Sequence, residues 1–447
     1  MEQRDRWASK VGFILAAIGS AIGLGNIWRY PYVVYENGGG AFLIPYFIAL
    51  LTAGIPILLM EYVIGHKYKS SAPLGFRKIH RGAEWIGWWQ VIVAFFVATY
   101  YMVILGWALS YTYYSFGTQW GEDTEGFFFN HYLSLSEDFW GFGGFQWKVL
   151  LPFVIVWAVT FWIMHRGVSR GIEMANKILM PILIVMMIVI TIRGVTLPGA
   201  AEGLNVLFTP DFDALANPKV WVQAYGHVFF SLSIAFAIML TYASYLPEKT
   251  DLTNSGLIAG LANSGFEFMA AIGVFATLGF LAASQGVAVD EVATAGVGLA
   301  FVVFPQVINA FPFWNSLFGV LFFGSLLFAG FTSAISILEP VIAGMREKFG
   351  MSRKSAVNWV CGIAFSVGLI YTTSGGLRFL DVVDHFTNQY GIVLGGLLEV
   401  ILIAWISKKL DEFREHANNI SYVRLGSWWN VCLKWITPVL LTCMLLM

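Results

Sequence analysis

Gly19-Ser-Ala-Ile-Gly-Leu-Gly-Asn26 puts three glycines within seven positions, followed by Asn26, Arg29 and Pro31, all inside an otherwise apolar run. Small residues at this spacing can serve close helix packing. Their polar company points further, because an arginine inside an apolar span is costly and marks a functional site whose partner is to be found. A helix interrupted here would free carbonyls to hold a cation and amides to hold a carboxylate. A second stretch, Gly226-His-Val-Phe-Phe-Ser-Leu-Ser233, sets Ser231 and Ser233 mid-run with Phe230 and Phe236 alongside. Serine hydroxyls at such places can also bond back to their own helix. Enzyme chemistry finds no comparable support: the seven histidines are scattered, and no Ser-His-Asp grouping, Cys/His cluster or phosphate loop occurs.

The elements that carry these residues follow from composition. Of 447 residues 58% are apolar and 12% charged, against roughly 45–50% and 25% in soluble domains. With 26 basic and 27 acidic side chains there is no excess charge for nucleic acid, and Cys361, Cys432 and Cys443 all fall in apolar stretches, which argues against a disulfide framework. A spanning helix needs about 20 mostly apolar residues. Charges, glycines and prolines divide the chain into eleven candidates, near 11–36, 41–65, 86–116, 148–165, 171–193, 219–247, 254–283, 313–345, 355–373, 385–407 and 428–447. The run from Val292 to Leu338 is too long for one span; Pro305 and Pro312 are expected to break it, leaving a short outer or re-entrant helix first. Residues 1–10 form a basic flank without a cleavage site, so the first span is expected to stay.

Nineteen basic residues fall on the side of the N-terminus and four on the other. The positive-inside rule then places the N-terminus in the cytoplasm and the C-terminus outside, in the cell (inner) membrane. The chain reads as a single all-α integral membrane domain, 1–447. The interrupted stretches fall in the first and sixth spans, corresponding members of two five-helix halves, 11–193 and 219–407, with 428–447 as an eleventh helix. Breaks at corresponding positions of two halves are the best sequence pointer to a transport site. A channel would instead want a ring of identical subunits; a non-transporting sensor of the same fold is the other alternative.

The stretch Gly19 to Pro31, with Glu36-Asn-Gly-Gly-Gly-Ala-Phe42, Thr241-Tyr-Ala-Ser-Tyr245 and Ala329-Gly-Phe-Thr-Ser333, resembles the neurotransmitter:sodium symporter family and its LeuT-type fold over essentially the whole chain. The resemblance implies a 5+5 inverted repeat, helices 1 and 6 interrupted at mid-membrane, and sodium-coupled amino-acid uptake with two Na+ ions. Many members have a twelfth span, which this chain is expected to lack without loss of the ten-helix core. One sodium site would use Ala21, Asn26, Ser231 and Asn263; the second Gly19, Ile22, Ala329, Thr332 and Ser333. Substrate would meet Ser20, Ala21, Leu24, Gly25, Val97, Tyr101, Phe230, Ser231, Ser233, Phe236, Ser333 and Ile337. Amides near Leu24 and Gly25 with the Tyr101 hydroxyl would take the carboxylate. No charge stands in that wall, and hydrophobic pockets discriminate weakly among apolar shapes, so a broad range of hydrophobic L-amino acids is expected.

The same resemblance assigns Arg29 and Asp384 to an outer gate above a Tyr101–Phe230 lid, and Arg4 and Glu347 to an inner gate with Trp7 and Tyr245. Glu267 would supply the negative charge that chloride supplies in other members, giving chloride-independent transport. His227 stands nearby and leaves proton linkage open. Glu61 and Glu339 are expected to anchor unwound backbone. In the fifth span, Gly171 and Pro181 stand ten positions apart; a proline frees the carbonyl four residues earlier, and unwinding of 171–181 is expected to open a water path to the second sodium site, a static kink being the alternative.

Overall fold

The computed structural model describes residues 5–136 and 141–446. Among the described residues, nine helices are long and apolar enough to cross a membrane: Gly40–Tyr68, Glu84–Gly117, Trp147–His165, Val168–Val195, Leu252–Gln285, Asn315–Phe349, Arg353–Thr372, Gly376–Ile406 and Ser427–Leu446. These are spans two to five and seven to eleven. The first and sixth exist only in pieces, as expected. Span one is Lys10–Ala21, Leu24–Trp28 and Tyr30–Glu36; span six is Pro218–Ser231 and Ile238–Ser244.

Local chemistry explains the ends. Ser9 caps the first helix by accepting from the Gly12 amide at 3.0 Å, and Asp251 caps the seventh span through Asn254 N at 3.0 Å. Gly286 and Gly350 close the seventh and eighth spans at φ +69° and +64°, a conformation glycine adopts without Cβ strain.

The third and eighth spans are the most enclosed, each with 83% of its apolar centre buried, against 33% for the fifth and eleventh at the rim. Span three packs along span eight, and the first piece of span one lies among spans five, seven and eight. The second piece of span six, Ile238–Ser244, packs on span two. Both broken helices are thus held by continuous ones.

Two expectations need correction. The tenth span begins at Gly376 and not near 385, because Arg378, Asp381 and Asp384 sit on its first turns, where Asp381 and Asp384 line a cavity. Pro305 does not break the run after Val292. It lies inside one continuous helix, Gly296–Ala310, directly after a wide turn at Leu299–Val303, and the break comes at Phe311–Trp314, around Pro312.

Candidate functional site

Span one opens at Ile22 and Gly23, both extended, and the Asn26 side chain closes the gap by accepting from Gly23 N at 2.8 Å. Span six opens from Leu232 to Ala237, where Ser233, Ala235 and Ala237 take φ of +53°, +63° and +61°. A left-handed non-glycine residue costs about 1–2 kcal/mol, so something must hold this segment. Glu61, fully buried on span two, accepts from Ala235 N at 2.6 Å, the anchoring expected of it. Across the gap Ser233 Oγ donates to the Ser20 carbonyl at 2.8 Å. Glu339 behaves differently from expectation. It receives both arms of Arg353 (2.8 and 2.7 Å) and the Tyr245 hydroxyl (2.8 Å), so among the described residues it is an ion-pair partner and anchors no unwound backbone.

Between the breaks lies a cavity of about 550 Å³, and every residue expected around a substrate lines it. Tyr101 Oη lies 3.4 Å from Leu24 N, and a Cβ at Gly25 would come 2.9 Å from the Phe230 ring. Arg29 and Asp384 line the far end of the same cavity. No ion pair joins them among the described residues: the guanidinium lies over the Phe230 ring at 5.3 Å, and Asp384 accepts from Asn388 at 2.7 Å. Asp381 and His385, which line that end, are exposed.

The N-terminal face is closed. Trp7 Nε1 donates to Tyr242 O at 2.8 Å and Trp7 N to Tyr245 O at 3.4 Å. Asp5 pairs with Arg346 and with Arg353, the latter at 3.1 Å. Glu347 accepts from Ser71 N and Oγ at 2.7 and 2.8 Å. Arg4 lies outside the described residues. Glu173, at the start of span five, takes Ala8 N (2.7 Å), Ser9 Oγ (2.8 Å) and Lys177 Nζ (2.7 Å). The 171–181 segment is helical here: a wide turn over Val168–Glu173 runs into Met174–Val195 with Pro181 inside it.

Two oxygen clusters flank the cavity. In the first, Asn263 Nδ2 donates to Ser231 Oγ at 2.6 Å and Asn26 Nδ2 to Asn263 Oδ1 at 2.8 Å, while Ala21 lines the adjoining cavity wall. Behind them Glu267, fully buried, collects Ser231 Oγ (2.6 Å), His227 Nε2 (2.8 Å), Asn26 Nδ2 (3.1 Å) and Tyr46 Oη (2.6 Å). In the second, Ser333 Oγ lies 3.4 Å from Gly19 O and 3.2 Å from Ile22 O, and Thr332 Oγ1 lies 2.9 Å from Ala329 O. Carbonyls, hydroxyls and amide oxygens are the donors a small hard cation takes. Among the described residues no group of three or more His, Cys, Asp or Glu that could hold a metal occurs.

Sequence reading missed Tyr46, Asp5 and Glu173. Each meets partners far along the chain, and none carries a local signal.

Two interrupted helices facing one another across a cavity, inside a bundle of apolar spans, define a multi-pass membrane transporter. A family profile described as "Sodium:neurotransmitter symporter family" matches residues 4–125 and 117–447. An uncharacterised sodium-dependent transporter of Methanocaldococcus jannaschii is 43% identical over 440 residues, 98% of this chain and 89% of that one. The sodium- and chloride-dependent taurine transporter of Homo sapiens is 32% identical over 483 residues, 98% and 77% of the two chains. Among solved structures, MhsT in complex with L-phenylalanine superposes with a TM-score of 0.85 at 33% identity, covering 99% of both chains.

The chain belongs to the sodium:neurotransmitter symporter family. It has the LeuT-type fold, and sodium-dependent transport of a small molecule across a membrane is its class of activity.

Proposed function

We propose that the chain takes up hydrophobic L-amino acids by alternating access, driven by two sodium ions and without chloride. The observation that carries this reading is the region between the two breaks. It is walled by Val97, Phe230, Phe236 and Ile337, holds no charged side chain at that depth, and adjoins both oxygen clusters. An amino-acid carboxylate near Leu24 N and Tyr101 would lie beside Asn26 and Ser231, which line the cavity and belong to the first cluster. Sodium and substrate would then complete one another's binding, and linkage makes the effect reciprocal. The relative MhsT was solved with L-phenylalanine, which supports an apolar substrate.

Glu267 supplies the fixed negative charge beside the first sodium site. Arg29 and Asp384 pair when their end of the cavity closes; Arg4 and Glu347, with Trp7 and Tyr245, hold the N-terminal face until it opens. The halves are 11–193 and 219–407, followed by the helix at 428–447, and the excess of basic residues sets the N-terminal face in the cytoplasm, with the C-terminus outside the cell membrane.

The test is binding of radiolabelled L-phenylalanine to purified protein, with and without sodium and chloride, against apolar, charged and amine competitors. Binding indifferent to sodium would overturn the mechanism; preference for charged or amine ligands would overturn the pocket reading alone. Sodium-driven accumulation in proteoliposomes separates a symporter from a sensor or channel.

A further inference from the structure

The fifth span contributes none of the oxygens assigned above, yet one of its side chains ends beside the second cluster. Asn176 is fully buried. Its Nδ2 donates to Ile172 O at 2.9 Å. A carbonyl can only accept, so the amide's orientation is fixed by chemistry. Oδ1 therefore faces away from its own helix, and it has no hydrogen-bond partner among the described residues.

Its direction can be read from Gly19. A Cβ built there would lie 2.1 Å from Asn176 Oδ1, 3.1 Å from Met180 Sδ and 3.1 Å from Thr332 Cβ. The amide oxygen thus occupies the volume that a side chain at 19 would fill, between two members of the second cluster. A buried acceptor left without a donor loses its hydration without return, and in native proteins an ordered water or ion is a usual explanation. The second cluster has no formal charge, so a further amide oxygen is of direct value to a cation there.

We propose that Asn176 Oδ1 belongs to the second sodium site, joining the ion's coordination from the fifth span. This rests on the reading of Gly19, Ile22, Ala329, Thr332 and Ser333 as that site. One amide, on a residue between the wide turn and Pro181, then ties the ion to Ile172 within that turn. Sodium in the site holds the 171–181 segment helical, and loosening of that segment withdraws an oxygen from the ion, the two effects being reciprocal.

The experiment is equilibrium binding of ²²Na⁺ to the purified full chain without organic substrate, together with amide hydrogen exchange over residues 168–181. Asn176→Leu keeps the shape and removes the acceptor; Asn176→Asp keeps the oxygen and adds charge. N176L is expected to weaken one class of sodium site about ten-fold and to abolish sodium-dependent protection of the segment, while N176D binds at least as tightly as the unaltered chain. Unchanged sodium binding in N176L overturns the proposal, as does equal loss in both variants, which would mark a packing role. Thr332→Ala separates the two readings. If it leaves every sodium site intact, the second-site reading fails and this proposal with it; if it removes a site that N176L retains at full affinity, only the role of Asn176 fails.

Discussion

Glu267→Gln removes one negative charge and nearly no volume, at a carboxylate that collects four donors: Ser231, His227, Asn26 and Tyr46. Its effect on sodium can be worked from the geometry. Ser231 Oγ lies 2.6 Å from Glu267 Oε1, so an ion touching that hydroxyl at about 2.4 Å, a usual hard-cation distance, sits within about 5 Å of the charge. At an effective dielectric near 20, attraction over about 5 Å is about 3 kcal/mol, or roughly 100-fold in affinity. In chloride-free gluconate, E267Q is therefore expected to need about 100-fold more sodium for half-maximal amino-acid binding. Chloride should restore much of the loss, since a small anion replaces the missing charge. The assay is sodium titration of radiolabelled L-phenylalanine binding in matched chloride and gluconate buffers, with monodispersity as the folding control. E267Q with unaltered sodium dependence in gluconate would refute the reasoning, and loss that chloride leaves untouched would refute the anion-substitution part.

Other expectations follow from contacts described above. Glu61→Leu leaves the Ala235 amide buried without an acceptor, and thermal unfolding should show a loss of about 1–3 kcal/mol; an unshifted melting temperature would mean span six holds its left-handed turn unaided. Pro181→Ala should stiffen the fifth span, slow sodium release toward the N-terminal face and reduce hydrogen exchange at 171–181; unchanged release and exchange would identify a static kink. At the N-terminal face, His416 Nε2 meets His66 Nδ1 at 3.0 Å while His66 Nε2 donates to Pro247 O at 2.8 Å. Burial lowers the His416 pKa below its ordinary value. The unfolded chain thus binds the proton more readily, so the stability His416 contributes is present above the usual histidine range and lost as pH falls through it. Melting temperatures from pH 8 to 5 should fall less steeply in His416→Gln; parallel curves would remove His416 from the account.

Much of the fold was legible because the bilayer suppresses charge: long uncharged runs had to be spans, and glycines next to Asn26 and Arg29 had to be something more. The boundary at 385 failed because Asp381 and Asp384 are charges on a helix that face a cavity, a placement composition alone does not reveal. Glu339 was misread because its partner, Arg353, begins the next span and looks like a solvated loop residue. The side chains that motif resemblance assigns to a substrate line one cavity together. Asn176 and Tyr46 were invisible, since a single amide or phenol in an apolar span acquires meaning only from partners over a hundred positions away.

The two breaks are built on opposite principles, which sets how each can change over generations. Span one depends on missing side chains: at Gly19 and Gly25 an added methyl would meet the Asn176 and Phe230 side chains at 2.1 and 2.9 Å, so a change there must move a partner as well. Span six turns left-handed at Ser233, Ala235 and Ala237 without one glycine, and glycine there would relieve strain. Its stiffness is therefore adjustable by single substitutions, in lineages or in directed evolution, whereas a change in span one calls for a paired change in the side chain it meets.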